Sequence, residues 1–266
     1  MRLCARSPVV RRELWRWWYQ RLVRRGPDAR WTFMNYGWQP PAGAEATLDP
    51  ADEPDRAGIE LYRRVVSPVR LAGQQVLEVG AGRGGGASYL ARYHAPARVV
   101  AVDYAPAAIA WCRERHRGVA NLEFAPGEAE RLPLPEATFD VVVNIESSHC
   151  YGRVERFFAE VVRVLRPGGS FLFADARRAE ELAGLAAALG ATPGWCETEN
   201  EDLTPGVAAA LAAEDGRKRQ LMRDVLPDGG SRVFGEFAAL RGTTMFAGLQ
   251  SGRFRYHRWA WRKHGP

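Results

Sequence analysis

The residues whose spacing best suits chemistry in this 266-residue sequence are Glu78-Val79-Gly80-Ala81-Gly82-Arg83-Gly84-Gly85-Gly86, set between an apolar β-branched run and a helical one. Glycine at 80 and 82 lets the chain turn tightly and approach a ligand with no Cβ in the way. The helix N-terminus beyond it offers unsatisfied N–H groups. Asp103 follows 25 residues after Glu78, at the end of the next apolar run, where a carboxylate can accept from both hydroxyls of a ribose. Together these residues suit a nucleoside-bearing cofactor. Glu78 narrows the choice, because an acid at the mouth of the loop repels a pyrophosphate but attracts an ammonium group. A sulfonium cofactor carrying an amino-acid tail, as in S-adenosylmethionine, fits better than a dinucleotide.

The elements that must position these residues follow from periodicity. From Gln74 onward, short apolar runs at 74–79, 97–102, 122–127, 139–145 and 170–175 alternate with helical stretches at about 86–93, 106–117, 154–165 and 179–189. This rhythm predicts a doubly wound, mostly parallel α/β sheet with helices on both faces. Residues 253–263 alternate basic with aromatic or apolar residues, which predicts a last strand exposed on one side and edge-like. Upstream, Leu14, Trp15, Trp18 and Leu22 recur at helical spacing within a basic segment, 8–25. A second helix is expected over 53–66, with Pro54 in its first turn. The expected organisation is one domain, with an N-terminal helical cap (1–68), a cofactor-binding core (69–200), a helical lid (201–249) and a C-terminal strand (250–266).

Composition excludes several classes. With 46% hydrophobic and 26% charged residues the chain buries a normal core. The four cysteines, at 4, 112, 150 and 196, form no C-x-x-C pair and read as reduced thiols rather than a disulfide framework or zinc site. With neither a membrane-length apolar run nor a signal-peptide core, the expected compartment is the cytoplasm. The formal charge of +6 invites a nucleic-acid reading until it is located. Residues 1–30 carry +7 and 253–266 carry +5, so the body between them is acidic, at −6.

Four segments, VLEVGAGRGGGASYLA (76–91), VVAVDYAPAAI (99–109), GEAERLPLPEATFDVVVNIESSHCY (127–151) and EVVRVLRPGGSFLFAD (160–175), resemble class I S-adenosylmethionine-dependent methyltransferases. Further likeness at FMNYG (33–37), DEPDRAGIELY (52–62), SSHCY (147–151) and GTTMFAGLQSGRFRYHRW (242–259) is to O-methyltransferases of polyketide and complex-lipid pathways, the phthiotriol/phenolphthiotriol dimycocerosate group among them. The resemblance implies a Rossmann-like sheet whose last strand is antiparallel. It also implies that Gly80, Ala81 and Gly82 approach the cofactor, that Asp103 and Tyr104 take its ribose and adenine edge, and that Glu128 and Ala129 flank the adenine, with Glu in place of the family's Asp. By the same resemblance Asn144 meets the methionyl group through its backbone and Tyr36 closes over the methionyl carboxylate.

Methyl transfer from a sulfonium needs an aligned acceptor and, for a hydroxyl, a proton acceptor. His149, five residues past Asn144, stands where the fourth strand delivers such a base, and Asp175 ends the neighbouring fifth strand, placed to orient it. Related O-methyltransferases carry His and Asp at these two places. Glu146 is a lesser candidate, as an acid able to stabilise a cation. No metal is expected. Trp15, Trp17, Trp18, Trp31, Phe33, Trp38, Tyr151, Met222, Phe234, Phe237, Met245 and Phe246 supply an apolar lining for a hydrophobic small-molecule acceptor. Three functions compete: O-methylation of such an acceptor, C-methylation or a methyltransferase-like cyclisation, and a nucleic-acid enzyme. The acidic body weighs against the third. The basic ends leave open a weak peripheral contact with an anionic membrane.

Overall fold

The computed structural model describes residues 31–225 and 232–265. The basic segment expected to be helical over 8–25, with Trp15, Trp17, Trp18 and the membrane contact assigned to it, lies outside them.

A turn of 3-10 helix at Glu53–Asp55 leads into α1 (Arg56–Val66). There follow β1 (Gln75–Val79), α2 (Gly85–Tyr93), β2 (Arg98–Asp103), α3 (Pro106–Arg115), β3 (Leu122–Pro126), β4 (Phe139–Ile145), α4 (Val154–Val164), β5 (Leu165–Arg178) and α5 (Ala179–Ala191). The chain then forms β6 (Trp195–Asp202), α6 (Thr204–Val225), α7 (Arg232–Phe237), α8 (Thr244–Gln250) and β7 (Phe254–Lys263). Seven strands lie in the order β3-β2-β1-β4-β5-β7-β6. The first five run parallel, while β7 is antiparallel to both of its neighbours. Strand order reverses between β1 and β4, and a ligand crevice opens at the carboxyl ends of the strands on either side of such a switch.

The apolar runs form central strands because both sheet faces are covered. On one face Ile59, Leu61 and Val65 of α1 pack with Ala87 and Leu90 of α2 and Val207 and Leu211 of α6. On the other, Phe157, Phe158 and Val161 of α4 meet Leu185 and Leu189 of α5. The aromatic rings of Phe171, Phe173, Trp195, Trp259 and Trp261 stack across β5, β7 and β6 on that second face. α3 begins on Pro106, whose fixed φ and missing N–H suit a first helical turn.

Two expectations need correction. β7 is an interior strand, and Tyr256, Arg258, Trp259, Ala260 and Trp261 are all buried. The edge is β6, which was not expected to be a strand and which runs past residue 200, the boundary drawn for the core. Its acids explain how a basic strand is buried. Arg258 bonds Glu199 and Glu201 of β6, and Arg255 bonds Asp202, so these two arginines of the positive C-terminal segment are neutralised in place, while Arg253 and Arg262 stay exposed. Arg64 of α1 also reaches Glu201 and ties the edge to the helical layer. No helix among the described residues is long and apolar enough to cross a membrane.

Candidate active site

β1 ends at Val79, and the chain turns through Gly80, Gly82 and Gly84 at φ values of 83°, 57° and 75°, a region closed to most side chains. At Gly80 space is as restrictive as dihedral angle, since a Cβ there would sit 2.3 Å from Ser147 Oγ. Asp103 at the tip of β2 holds this turn. Its Oδ2 accepts from the Gly82 N–H at 2.9 Å and its Oδ1 from the Ala105 N–H at 2.9 Å. Burial pushes its pKa up to about 6 against those donors. Tyr104 follows directly at the same strand end. Beyond β3, the Gly127 N–H bonds the Asp103 carbonyl, setting half-buried Glu128 and buried Ala129 beside it. Gly80, Ala81, Gly82, Asp103, Tyr104, Glu128 and Ala129 thus gather at the ends of β1, β2 and β3.

Glu78 is fully buried beneath the loop and accepts from the Tyr62 hydroxyl of α1, while its Oε2 is sealed from solvent without a hydrogen-bond partner. Burial pushes its pKa up to about 8. An orphaned, desolvated carboxylate oxygen under a glycine cradle is what an ammonium-bearing ligand would satisfy. The residues present therefore fit S-adenosylmethionine. Arg83 braces the loop from outside, its guanidinium 4.4 Å from the Trp111 ring centroid and 5.4 Å from that of Trp31.

Asn144, near the end of β4, is wholly buried. Its amide nitrogen, with two hydrogens to donate, lies within hydrogen-bonding distance of the Val79 carbonyl, Ser147 Oγ and the Tyr151 hydroxyl, fastening β1 to the connection after β4. That connection folds as a 3-10 turn, Ser148–Cys150, which aims His149 at β5. His149 Nδ1 lies 2.9 Å from Asp175 Oδ1, and its backbone N–H donates to Oδ2 at 3.1 Å. Ser148 Oγ and the Arg177 guanidinium also contact Oδ2, at 2.7 and 2.9 Å. Burial opposes charge on Asp175, yet Arg177 and His149 overcome it and hold the carboxyl well below its ordinary range. With Asp175 ionised, Nδ1 is the donating ring nitrogen, and Nε2 lies on the far side of the ring. Burial also opposes a charged imidazole, but Cys150 and Asp175 outweigh it and raise the His149 pKa well above the usual value.

Tyr36 reaches the connection after β4 through Glu146. Its N–H donates to Glu146 Oε1 at 2.9 Å, its carbonyl accepts from Lys218 of α6 at 3.3 Å, and its ring packs near that of Tyr256. The Tyr256 hydroxyl donates to the same Glu146 oxygen at 2.9 Å. Trp31, Phe33 and Met34 face Met222, Phe234 and Phe237 across a cavity of about 50 Å³ that Tyr36 and Lys218 also line. Among the other expected lining residues, Trp38 packs against Gly206, Tyr151 against Phe157, and Phe246 lies in the core. Tyr62, Lys218, Tyr256 and Arg177 were not expected in the site. No local motif marks them, although Lys218 is one of only two lysines in the chain. Among the described residues no group of three or more His, Cys, Asp or Glu side chains is placed to hold a metal ion.

A methyltransferase-domain family model matches residues 77–173, from β1 to the middle of β5. The phthiotriol/phenolphthiotriol dimycocerosates methyltransferase of Mycobacterium tuberculosis is 38% identical over 259 residues, covering 97% of this chain and 95% of its own. A fatty-acid O-methyltransferase of Mycolicibacterium smegmatis is 47% identical over 161 residues, 60% of this chain and 58% of its own. Among solved structures, the StiE O-methyltransferase superposes with a TM-score of 0.69 at 16% identity, over 91% of this chain and 90% of that one, a likeness of fold. Fold, glycine cradle and these similarities define an S-adenosylmethionine-dependent methyltransferase. Within that class the chain belongs to the phthiotriol/phenolphthiotriol dimycocerosates methyltransferase family.

Proposed function

We propose that the enzyme methylates a hydroxyl oxygen of a hydrophobic small molecule, a polyketide, glycosylated natural product or complex lipid, with His149 as general base. The observation that carries this reading is the 2.9 Å contact between His149 Nδ1 and buried Asp175, which fixes the ring; the acceptor proton is assigned to Nε2, the other ring nitrogen. Bound S-adenosylmethionine supplies an electrophilic methyl on a good leaving group. The chain's own work is then to cradle that cofactor with Gly80, Ala81, Gly82, Asp103, Tyr104, Glu128 and Ala129, to face its ammonium with Glu78, and to align the acceptor. Tyr36 and the Asn144 backbone flank the methionyl end. The raised pKa of His149 means that the base must first be relieved of a proton, which favours turnover above neutral pH and which a nearby sulfonium charge assists. The mostly aromatic lining of the small cavity beneath α6 and α7, about 50 Å³, supports contact with part of an apolar acceptor rather than with a nucleic acid. The names of the two relatives, a lipid and a fatty-acid methyltransferase, support that class.

C-methylation, or a cyclisation that keeps the cofactor as scaffold, is the second reading, and it draws on Glu146 as an acid able to steady a developing cation. Turnover of hydrophobic alcohols with ¹³C-methyl-labelled cofactor, followed by product NMR, separates the two. The label is expected on oxygen; label on carbon, or product without label, would overturn the proposal.

A further inference from the structure

β5 does not stop at Asp175. It runs on to Arg178 because β7 pairs with it through this stretch, with Asp175 opposite His257 and Arg177 opposite Arg255. Extended backbone puts residues two apart on one face, so Asp175 and Arg177 point the same way. The result is a carboxylate whose two oxygens have separate partners. Oδ1 meets His149 Nδ1 at 2.9 Å and accepts from the Ala176 N–H at 2.8 Å. Oδ2 faces Arg177 at 2.9 Å, Ser148 Oγ at 2.7 Å and the His149 N–H at 3.1 Å. Arg177 is itself seated, for one terminal nitrogen donates to Ser148 Oγ at 2.6 Å and the other to the Ala176 carbonyl at 2.9 Å. Asp175 and Ser148 are buried, and the Arg177 side chain is only 11% exposed.

We propose that Arg177, seated by Ser148, is a positioning residue for methyl transfer: it holds Asp175 Oδ2, keeps Oδ1 for the imidazole, and is the permanent counter-charge that lets His149 give up its proton and serve as base. The proposal rests on the general-base reading above and deepens it, by assigning what sets the pH at which that base becomes available. A buried carboxylate needs a counter-charge. Arg177 carries one at every working pH, whereas the imidazole carries one only while protonated. With Arg177 in place the carboxylate is already balanced. Without it, among the described residues, the imidazolium would be the remaining cation bonded to Asp175 and would keep its proton more tightly. Burial works against charge on Asp175, and Arg177 is first among the groups that overcome it. Glu146 and Cys150 from the connection after β4, Tyr36 from upstream of α1 and Tyr256 of β7 also act on the pair, and none is a cation. Lys218 of α6 bears on Glu146 and bonds Tyr36, while His257 of β7 turns to Asn200 and Asp202.

The test titrates His149 directly, by NMR of the full chain carrying ¹³C-labelled histidine with S-adenosylhomocysteine bound, the signal being assigned by its loss in His149→Ala. Single-turnover methyl transfer to a hydroxyl acceptor is followed over the same pH range. Arg177→Gln is expected to move the His149 midpoint up by about one pH unit or more, and the acid limb of the rate with it, while S-adenosylhomocysteine affinity is kept. Arg177→Lys, which restores the charge without the planar fork, is expected to bring the midpoint back close to wild type at a lower plateau rate. If Arg177→Gln does not fold, Ser148→Ala, which unseats Arg177 and strips a donor from Oδ2, is expected to raise the midpoint by about half a pH unit. A midpoint that stays or falls in Arg177→Gln or Ser148→Ala, or that shifts equally in Arg177→Gln and Arg177→Lys, would overturn the proposal. If the midpoint rises but the rate–pH profile does not follow it, the clamp on the pair stands and the general-base reading fails instead.

Discussion

On the β1–β3 side of the crevice the surface offered to the ligand is mostly backbone: three left-handed glycines, a helix start, and one carboxylate spent largely on bracing the turn. On the β4–β5–β7 side it is side chains drawn from distant places, with Tyr36, Glu146, His149, Asp175, Lys218 and Tyr256 meeting across more than two hundred residues. The first arrangement makes a rigid seat of fixed shape. The second makes an electrostatic device, in which two neighbouring carboxylates are driven in opposite directions. Asp175, gripped by Arg177 and His149, stays ionised. Glu146, with no hydrogen-bonded cation, titrates at about 7. A permanent charge suits orienting an imidazole.

If the two sides are this different, damage to them should separate. Asp175→Asn is expected to have the largest effect, lowering kcat by roughly 10²- to 10⁴-fold through loss of ring orientation while leaving S-adenosylhomocysteine affinity nearly intact. A fall in cofactor affinity as large as the fall in kcat would erase the distinction. Gly80→Ala should do the reverse, weakening S-adenosylhomocysteine by about 10-fold or more in calorimetry, because the new Cβ meets Ser147 Oγ at 2.3 Å and the φ of 83° is strained.

Glu78→Gln sharpens the comparison through pH. In the cofactor-free protein the Glu78 pKa is raised from 4.5 to about 8, so the folded state binds this proton more tightly than the unfolded chain. That group therefore costs stability increasingly as pH rises from about 4.5 to 8, and by a constant amount above it. The variant should be more stable than wild type at pH 9, by up to about 5 kcal/mol, and little different at pH 4.5, while losing affinity for the ammonium-bearing cofactor. Chemical denaturation at the two pH values checks the first part and calorimetry the second. Trp31→Leu should have the smallest effect, about 0.5–1 kcal/mol of stability, because it removes one of the two rings flanking Arg83.

The same contrast explains what could be read from one dimension. Glu78 to Gly86, with Asp103, is a local grammar: a strand, a turn that only glycine permits, a helix, and a carboxylate one unit later. His149 and Asp175 were also legible, one just past β4 and the other on neighbouring β5, although β5 continues to Arg178 rather than ending at Asp175 because its last residues pair with β7. Tyr256 and Lys218 were not, because their place in the site depends on how β7 and α6 return over the sheet. β6 was missed for a related reason. Glu197 and Glu199 lie in no apolar run that marks a strand, Glu201 and Asp202 fall in the expected helical lid, and only with Arg258 and Arg64 beside them do these acids make a strand. The basic β7 was misread as edge-like by the same omission, its counter-charges lying more than fifty residues upstream.

The most direct test of the central claim is the single-turnover rate of methyl transfer to a hydroxyl acceptor by His149→Ala beside wild type, followed from pH 6 to 9. Loss of a general base should slow transfer by about 10²-fold or more and abolish the rise in rate as the wild-type imidazole loses its proton. A variant that keeps more than about a tenth of the wild-type rate across that range would contradict the account.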